Sequence, residues 1–262
     1  DEDVRQNTEI ITTPKRDPNT NIVTLTLQDD KPFRELYFFQ SDVAYKADKR
    51  IDARYTRFII TMPTGSGKTR TAMGIATHFL NRGYDNDTEM QVLWLAESDE
   101  LNEQAIENFK HVWPYLGKKD IKLYRIWGNY TPKTIEKNSF IVAGIAKLTN
   151  LLKRNPNLIA PDLIICDEAH HAIARTWKNL IEQLSTSNGT RLIGLTATPI
   201  RGTTAEDKKL IEFFLGPDNI IDIDPGGELT PIDYLQKQGY LANVERQDKI
   251  KHDSPLIVPA AI

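Results

Sequence analysis

The sequence predicts an α/β fold: a mainly parallel sheet with helices on both faces. Three observations predict it. Apolar, β-rich runs recur along the chain, and stretches of helical pattern separate them. The runs are continuously apolar rather than alternating, as strands are when both faces of a sheet are covered. Taken in order, residues 1–32 form a polar lead-in with one strand, in which Ile22, Thr24 and Thr26 alternate with Val23, Leu25 and Leu27. From Phe33 to Arg50 the pattern turns helical. Strands are then expected at Phe58–Thr61, Gln91–Ala96, Ile121–Ile126, Phe140–Ala143, Leu163–Cys166 and Leu192–Leu195. Helices are expected at Thr69–Asn81, Glu100–Trp113, Ile145–Arg154 and Thr176–Leu184, which makes the βαβ rhythm of a parallel sheet. After Pro199 the rhythm weakens. A helix over Ala205–Leu215 stops at Gly216-Pro217, and another begins at Thr230-Pro231 and ends near Gly239. The expected organisation is a lead-in over 1–32, one domain over 33–223, and an exit segment over 224–262.

Composition narrows the functional classes. The chain has 262 residues, 40% hydrophobic and 26% charged, ordinary values for a globular protein with a substantial core. Its net charge of -3 gives no overall basic field, although a locally basic groove remains compatible with that value. One cysteine, Cys166, excludes an internal disulfide and a multi-cysteine zinc site. No apolar run approaches the roughly 18 residues of a membrane span, and the first residues lack a signal-peptide pattern. The expectation is a soluble, cytoplasmic protein.

Two motifs carry chemistry. Phe58–Thr61 reads as a strand, Pro63-Thr64-Gly65-Ser66-Gly67 as a glycine-containing turn, and Lys68-Thr69 as the opening of an amphipathic helix. That order is the context of a phosphate-binding loop: backbone N–H groups and the helix dipole favour an anion there. Gly65 and Gly67 permit positive φ and close approach. Lys68 would reach the β and γ phosphates of ATP, and the Thr69 hydroxyl would ligate Mg²⁺. One departure from G-x-x-x-x-G-K-[ST] is Met62, which stands at the first glycine. Far downstream, the apolar run Leu163–Cys166 ends in Asp167-Glu168, two carboxylates at the carboxyl end of a strand, where open α/β sheets bind ligands. Asp167 suits a role in holding Mg²⁺ and Glu168 the role of general base toward an attacking water. An acidic pair after a strand also arises as an ordinary helix start.

Gly65-Ser66-Gly67-Lys68-Thr69, Asp167-Glu168-Ala169-His170 and Thr196-Ala197-Thr198-Pro199, in that order, resemble the first, RecA-like motor domain of superfamily 2 helicases of the DEAH type. The resemblance covers about residues 33–250. Gly194–Pro199 followed by Arg201, Trp94-Leu95-Ala96 leading into Glu100–Ala105, and Gln238-Gly239-Tyr240-Leu241 resemble the branch of restriction-enzyme motor subunits and excision-repair helicases. The resemblance implies that Gln40, in Leu36-Tyr37-Phe38-Phe39-Gln40, reads the adenine edge. This chain has Tyr37 where the family often has an arginine, and the alternative is a surface glutamine without a role. It also implies that His170 bridges the acidic motif to Thr196 and Thr198, whose hydroxyls suit a hydrogen-bond relay, or otherwise a loop cap. His171 is left as a helix-start residue.

Nucleic-acid contacts implied by the resemblance fall in loops at 96–100, 127–130 and 144–147, with Ser98, Lys147 and Arg175 as the side chains of choice. The two cations also read as ordinary solvated charges. Asp99 stands where many RNA-helicase relatives have a basic residue, so DNA is the favoured partner and RNA the alternative. A nucleotide-gated regulatory or scaffold module is the reading from another class. A second RecA-like domain, required to complete such a motor, is not recognisable after Ile223.

Overall fold

A computed structural model describes residues 21–28, 33–54, 56–185, 189–198, 200 and 202–242. Pro199 and Arg201, both used in the sequence reading, lie outside these residues, as does most of the exit segment. The strands are β1 (Ile22–Leu25), β2 (Arg57–Thr61), β3 (Gln91–Ala96), β4 (Ile121–Ile126), β5 (Ser139–Gly144), β6 (Leu163–Cys166), β7 (Arg191–Thr196) and β8 (Ile220–Asp222). They form one sheet in the order β1-β4-β5-β3-β6-β7-β2-β8. Only β1 runs antiparallel to its neighbour; every other described pair is parallel. The α/β architecture read from the sequence is present. The edge strand β8 escaped the sequence reading because three residues ending in Asp222 leave no periodicity to detect.

The continuous apolar strands are explained by what covers them. Successive side chains of a strand point to opposite faces, and here each face meets helices. Phe58, Ile60, Val92 and Trp94 enter one core with α1 (Phe38–Asp52), α2 (Lys68–Asp85), α3 (Asp99–Leu116) and α7 (Pro231–Lys237). Ile59, Leu93 and Leu95 enter the other core with α4 (Ile145–Arg154), α5 (Arg175–Leu184) and α6 (Ala205–Phe213). Every residue of β3 is buried, so no polar alternation is possible there. Met62, at the position of the pattern's first glycine, is fully buried in the first core, which accounts for an apolar side chain at that point.

Parallel strands end on the same edge. The carboxyl ends of β2, β7 and β6 are consecutive there, as are those of β3, β5 and β4. No helix among the described residues is long and apolar enough to cross a membrane.

Candidate active site

The loop Pro63–Gly67 leaves β2 and turns into α2. Gly65 and Gly67 hold φ of 80° and 84°, the left-handed region that side-chain-bearing residues rarely enter. Ser66 is buried; its hydroxyl donates to the Pro63 carbonyl at 2.6 Å and closes the turn. Gly67 is the N-cap of α2 and supplies no side-chain cap, so the first backbone N–H groups of that helix retain their donor capacity.

Two strands away, β6 delivers Asp167 and Glu168. Asp167 is 5% exposed, and its N–H donates to the Leu95 carbonyl at 2.9 Å. Glu168 sits at φ 53° and ψ 74° in the left-handed region, a conformation that costs a non-glycine residue on the order of 1–3 kcal/mol. The twist aims its carboxylate at the loop. Lys68 Nζ lies 2.6 Å from Glu168 Oε1 and 3.6 Å from Asp167 Oδ1. One ammonium therefore holds together two carboxylates that repel each other. Burial pushes the Asp167 carboxyl above the usual aspartate range; Lys68 opposes that shift and the charge of Glu168 adds to it. Cys166 is wholly buried and its thiol is pushed far up by desolvation, which leaves it without thiolate chemistry.

Thr64, Gly65, Gly67, Lys68, Thr69, Asp167 and Glu168 line one cavity of about 370 Å³. The opposite wall comes from Leu101, Gln104 and Asn108 of α3, at helical spacing on one face. Leu101 and Gln104 entered the sequence reading only within the resemblance at Glu100–Ala105, without a site role, and Asn108 not at all; a polar pair at positions 104 and 108 in register with Leu101 is the signal that would have marked them.

Between the loop strand and the acidic strand runs β7. Its last residue, Thr196, pairs with Thr61 in the β2 register, and its carbonyl accepts from Met62 N at 3.0 Å. The Thr196 hydroxyl accepts from Thr198 N at 3.2 Å, the loop cap that the sequence left open. His170 lines a separate cavity with Thr196 and Thr198, and its Nδ1 lies 3.6 Å from Glu168 Oε2. It thus stands between the acidic residue and the threonines. His171, left without a role in the sequence, pairs with Glu97 at 2.7 Å and stacks on Trp177.

Gln40 is buried and its amide is engaged on both sides. Oε1 accepts from Tyr37 N at 3.0 Å, and Nε2 donates to the Ser66 carbonyl at 2.8 Å. A surface glutamine without a role is not what the structure contains: Gln40 is buried and braces the glycine loop.

Ser98 caps α3, its hydroxyl accepting from Leu101 N at 3.3 Å. Lys147 Nζ donates to the Gly128 carbonyl at 3.0 Å and so ties the first turn of α4 to the loop after β4. Arg175 is exposed at the start of α5. Ser98, Gly128 and Lys147 follow the neighbouring ends of β3, β4 and β5, whereas Arg175 follows β6 and its 3-10 turn Ala169–Ile173. The basic run near residues 118–125 is internally paired: Lys118 with Asp85, Lys122 with Glu136, and buried Arg125 beside Tyr130 and Glu103.

Thr69 and Asp167 both line the cavity and carry hard oxygen donors, a set suited to Mg²⁺ rather than a soft metal, and Lys68 contacts both acids. Among the described residues no cluster of three His, Cys, Asp or Glu could hold a metal by itself. That fits Mg²⁺, which takes one or two carboxylates and completes its shell with phosphates and water.

The family model described as "Type III restriction enzyme, res subunit" matches residues 34–201. "Putative helicase 22" of Sulfolobus islandicus filamentous virus is 31% identical over 206 residues, covering 74% of this chain and 33% of that protein. "Putative ATP-dependent helicase IRC3" of Saccharomyces cerevisiae is 27% identical over 192 residues, covering 69% of this chain and 27% of that protein. Among solved structures, the Pyrococcus furiosus Hef helicase domain superposes with a TM-score of 0.51 at 24% identity, covering 73% of this chain and 38% of that one. The Sulfolobus solfataricus SWI2/SNF2 ATPase core, solved with dsDNA, gives a TM-score of 0.50 at 16% identity, covering 73% and 38% of the two chains. Both structural likenesses are of fold, the RecA-like α/β sheet. This chain spans roughly a third of the length of the curated relatives it matches.

Proposed function

Because the chain belongs to the family of the type III restriction enzyme res subunit, helicase-type motor domains, we propose that it is the first half of an ATP-driven motor on DNA. The observation that carries this reading is the meeting of Lys68 with Glu168 and Asp167 across 100 residues of sequence, at the mouth of a left-handed glycine loop. ATP binds with its phosphates on the backbone N–H groups of the loop and the start of α2. Phosphate oxygens compete with Glu168 for the Lys68 ammonium. Nucleotide binding therefore transfers Lys68 to the phosphates and leaves Glu168 able to accept a proton from the attacking water. Thr69 and Asp167 would hold Mg²⁺, which when bound neutralises charge developing on the phosphate oxygens. His170, beside Glu168 and the Thr196–Thr198 turn, relays the state of the site to the end of β7.

DNA is favoured over RNA by the restriction-enzyme family and by the acidic Asp99 that opens α3. Contacts to the nucleic-acid backbone come from Ser98, the Gly128 loop and Lys147 in the first turn of α4, with Arg175 beyond them. The motor domain proper spans 33–223, and the segment 224–262 leads toward a second RecA-like domain, in keeping with the third of the relatives' length that this chain spans. The test is nucleic-acid-stimulated ATP hydrolysis by the full-length protein. Duplex DNA should raise the rate more than RNA of equal length, and Lys68→Ala should abolish hydrolysis and tight ATP binding. Stimulation by RNA alone would reassign the substrate, and ATP binding undiminished in Lys68→Ala would remove the nucleotide reading.

A further inference from the structure

Beside the phosphate cavity lies a second one of about 280 Å³, which shares Gly65, Gly67 and Arg70 with it. Its other walls include Arg34, Glu35, Tyr37, Gln40 and Tyr240. Three rings crowd one end: the Tyr240 centroid is 4.7 Å from that of Tyr37 and 5.0 Å from that of Phe39. The Arg34 guanidinium stands 4.7 Å over the Tyr37 ring. Phe39 is buried and forms the floor, whereas Tyr37 remains 37% exposed.

Tyr240 lies outside the family match at 34–201 and reaches the cavity from the last described segment. Its placement is built. α7 is anchored by fully buried Leu235 and ends on Gly239, with φ 74°. Tyr240 N donates to the Leu235 carbonyl at 2.8 Å and Gly239 N to the Gln236 carbonyl at 3.0 Å, the paired bonds of a Schellman ending. That turn sends the chain back over the phosphate loop. Leu241 follows, and its Cδ2 lies 3.3 Å from the point where a Cβ on Gly65 would stand. Gln236 Nε2 donates to the Ala242 carbonyl at 3.1 Å and holds the segment there.

Aromatic faces, a guanidinium plane and an oriented amide around one cavity suit a flat, electron-rich heteroaromatic ring. The phosphate loop adjoins it, so that ring is the base of the nucleotide. We propose that Tyr240 is a wall of the purine site, contributed by the segment that leaves α7, and that base occupancy and the placement of Leu241 and Ala242 are coupled. Coupling of this kind is reciprocal: whatever repositions the segment alters affinity for the nucleotide by the same factor that the nucleotide alters the segment. The inference rests on the reading of the glycine loop as an ATP site. It adds a base-specific contact, and a route by which chain beyond residue 242 senses the nucleotide.

The test separates base from phosphate. Calorimetric titrations with ATP and with inorganic triphosphate are run on the full chain, Tyr240→Ala, Tyr240→Phe and Lys68→Ala. Tyr240→Ala should weaken ATP about 3- to 10-fold, the worth of one aromatic contact, and leave triphosphate affinity unchanged. Tyr240→Phe should match the parent, and Lys68→Ala should weaken both ligands. In the unsubstituted chain, ATP should slow amide exchange at Leu241 and Ala242, and triphosphate should not. Parental ATP affinity in Tyr240→Ala, equal weakening of both ligands, or unchanged exchange at Leu241 and Ala242 overturns the proposal while leaving the phosphate loop intact. A parent that binds neither ligand overturns both readings.

Discussion

At the scale of single residues, Glu168 combines three constraints. Its backbone is held in the left-handed region, its N–H donates to Asp167 Oδ1 at 3.1 Å, and its carboxylate receives the Lys68 ammonium at 2.6 Å. Neutralising it removes proton acceptance and leaves the loop and Lys68 to hold phosphates. Glu168→Gln should therefore bind ATP at parental affinity and lose roughly 10²–10⁴-fold in turnover, the contribution of a positioned base. Single-turnover hydrolysis checks this, and a parental rate would remove the assignment. Gly67 is constrained differently. A Cβ there would stand 2.3 Å from Gln40 Nε2 on a residue already at φ 84°. Gly67→Ala should displace the Gln40 brace from Ser66, lower stability by about 1–3 kcal/mol, and weaken ATP binding. Chemical denaturation and ATP titration of the same variant would check both effects, and a parental denaturation midpoint would contradict the clash.

At the scale of elements, the site is assembled from strand ends and helix starts. α2 begins on a left-handed glycine and α3 begins on Ser98, so each presents its first turn at the carboxyl edge of the sheet. Ser98, chosen in the sequence as a nucleic-acid contact, already uses its hydroxyl in capping α3. Away from the site, α1 and α2 are tied by His78 and Asp48, with Arg82 also reaching Asp48 at 3.1 Å. The hydrogen bond that His78 donates to the Asp48 carboxylate raises the His78 pKa, and burial partly opposes it. A folded-state pKa above the unfolded value means stabilisation that is complete below the unfolded pKa and lost as pH rises through the folded one. The His78→Gln variant should thus melt below the parent at pH values under the ordinary histidine pKa of about 6.5, and the deficit should shrink as pH rises above it. The deficit should not exceed about 1 kcal/mol, because the histidine is largely exposed. A deficit that grew with pH would reverse the sign of this contact.

At the scale of the whole molecule, the sheet places β7 between β2 and β6 and aligns the three ends of the site. One wall of the proposed ATP site is thereby complete. Motors of this class receive an arginine finger from a second domain, worth roughly 10³–10⁵ in turnover. If a second RecA-like domain accompanies this one, residues 1–262 by themselves should bind ATP weakly and hydrolyse it slower by a factor of that order than a protein that carries both. Steady-state hydrolysis by the two proteins side by side measures the factor, and equal rates would show that no second domain completes the site.

The sequence by itself determined the local pieces. Six of the eight described strands were legible from apolar runs because burial on both faces permits little else, and the glycine loop and acidic pair were legible because each is contiguous. β1 was legible from its alternation, and β8 was too short to register. Gln40 was assigned to a base by resemblance, and sequence could not show that both sides of its amide would be engaged, one in its own helix cap and one on Ser66. Only the tertiary structure decided the strand order, the 2.6 Å contact of Lys68 with Glu168, the pairing of His171 with Glu97, and the return of Tyr240 over the loop. The physical reason is range. Propensity, patterning and capping act over a few residues, whereas these contacts join residues tens to hundreds of positions apart, and their partners are chosen by which faces pack together.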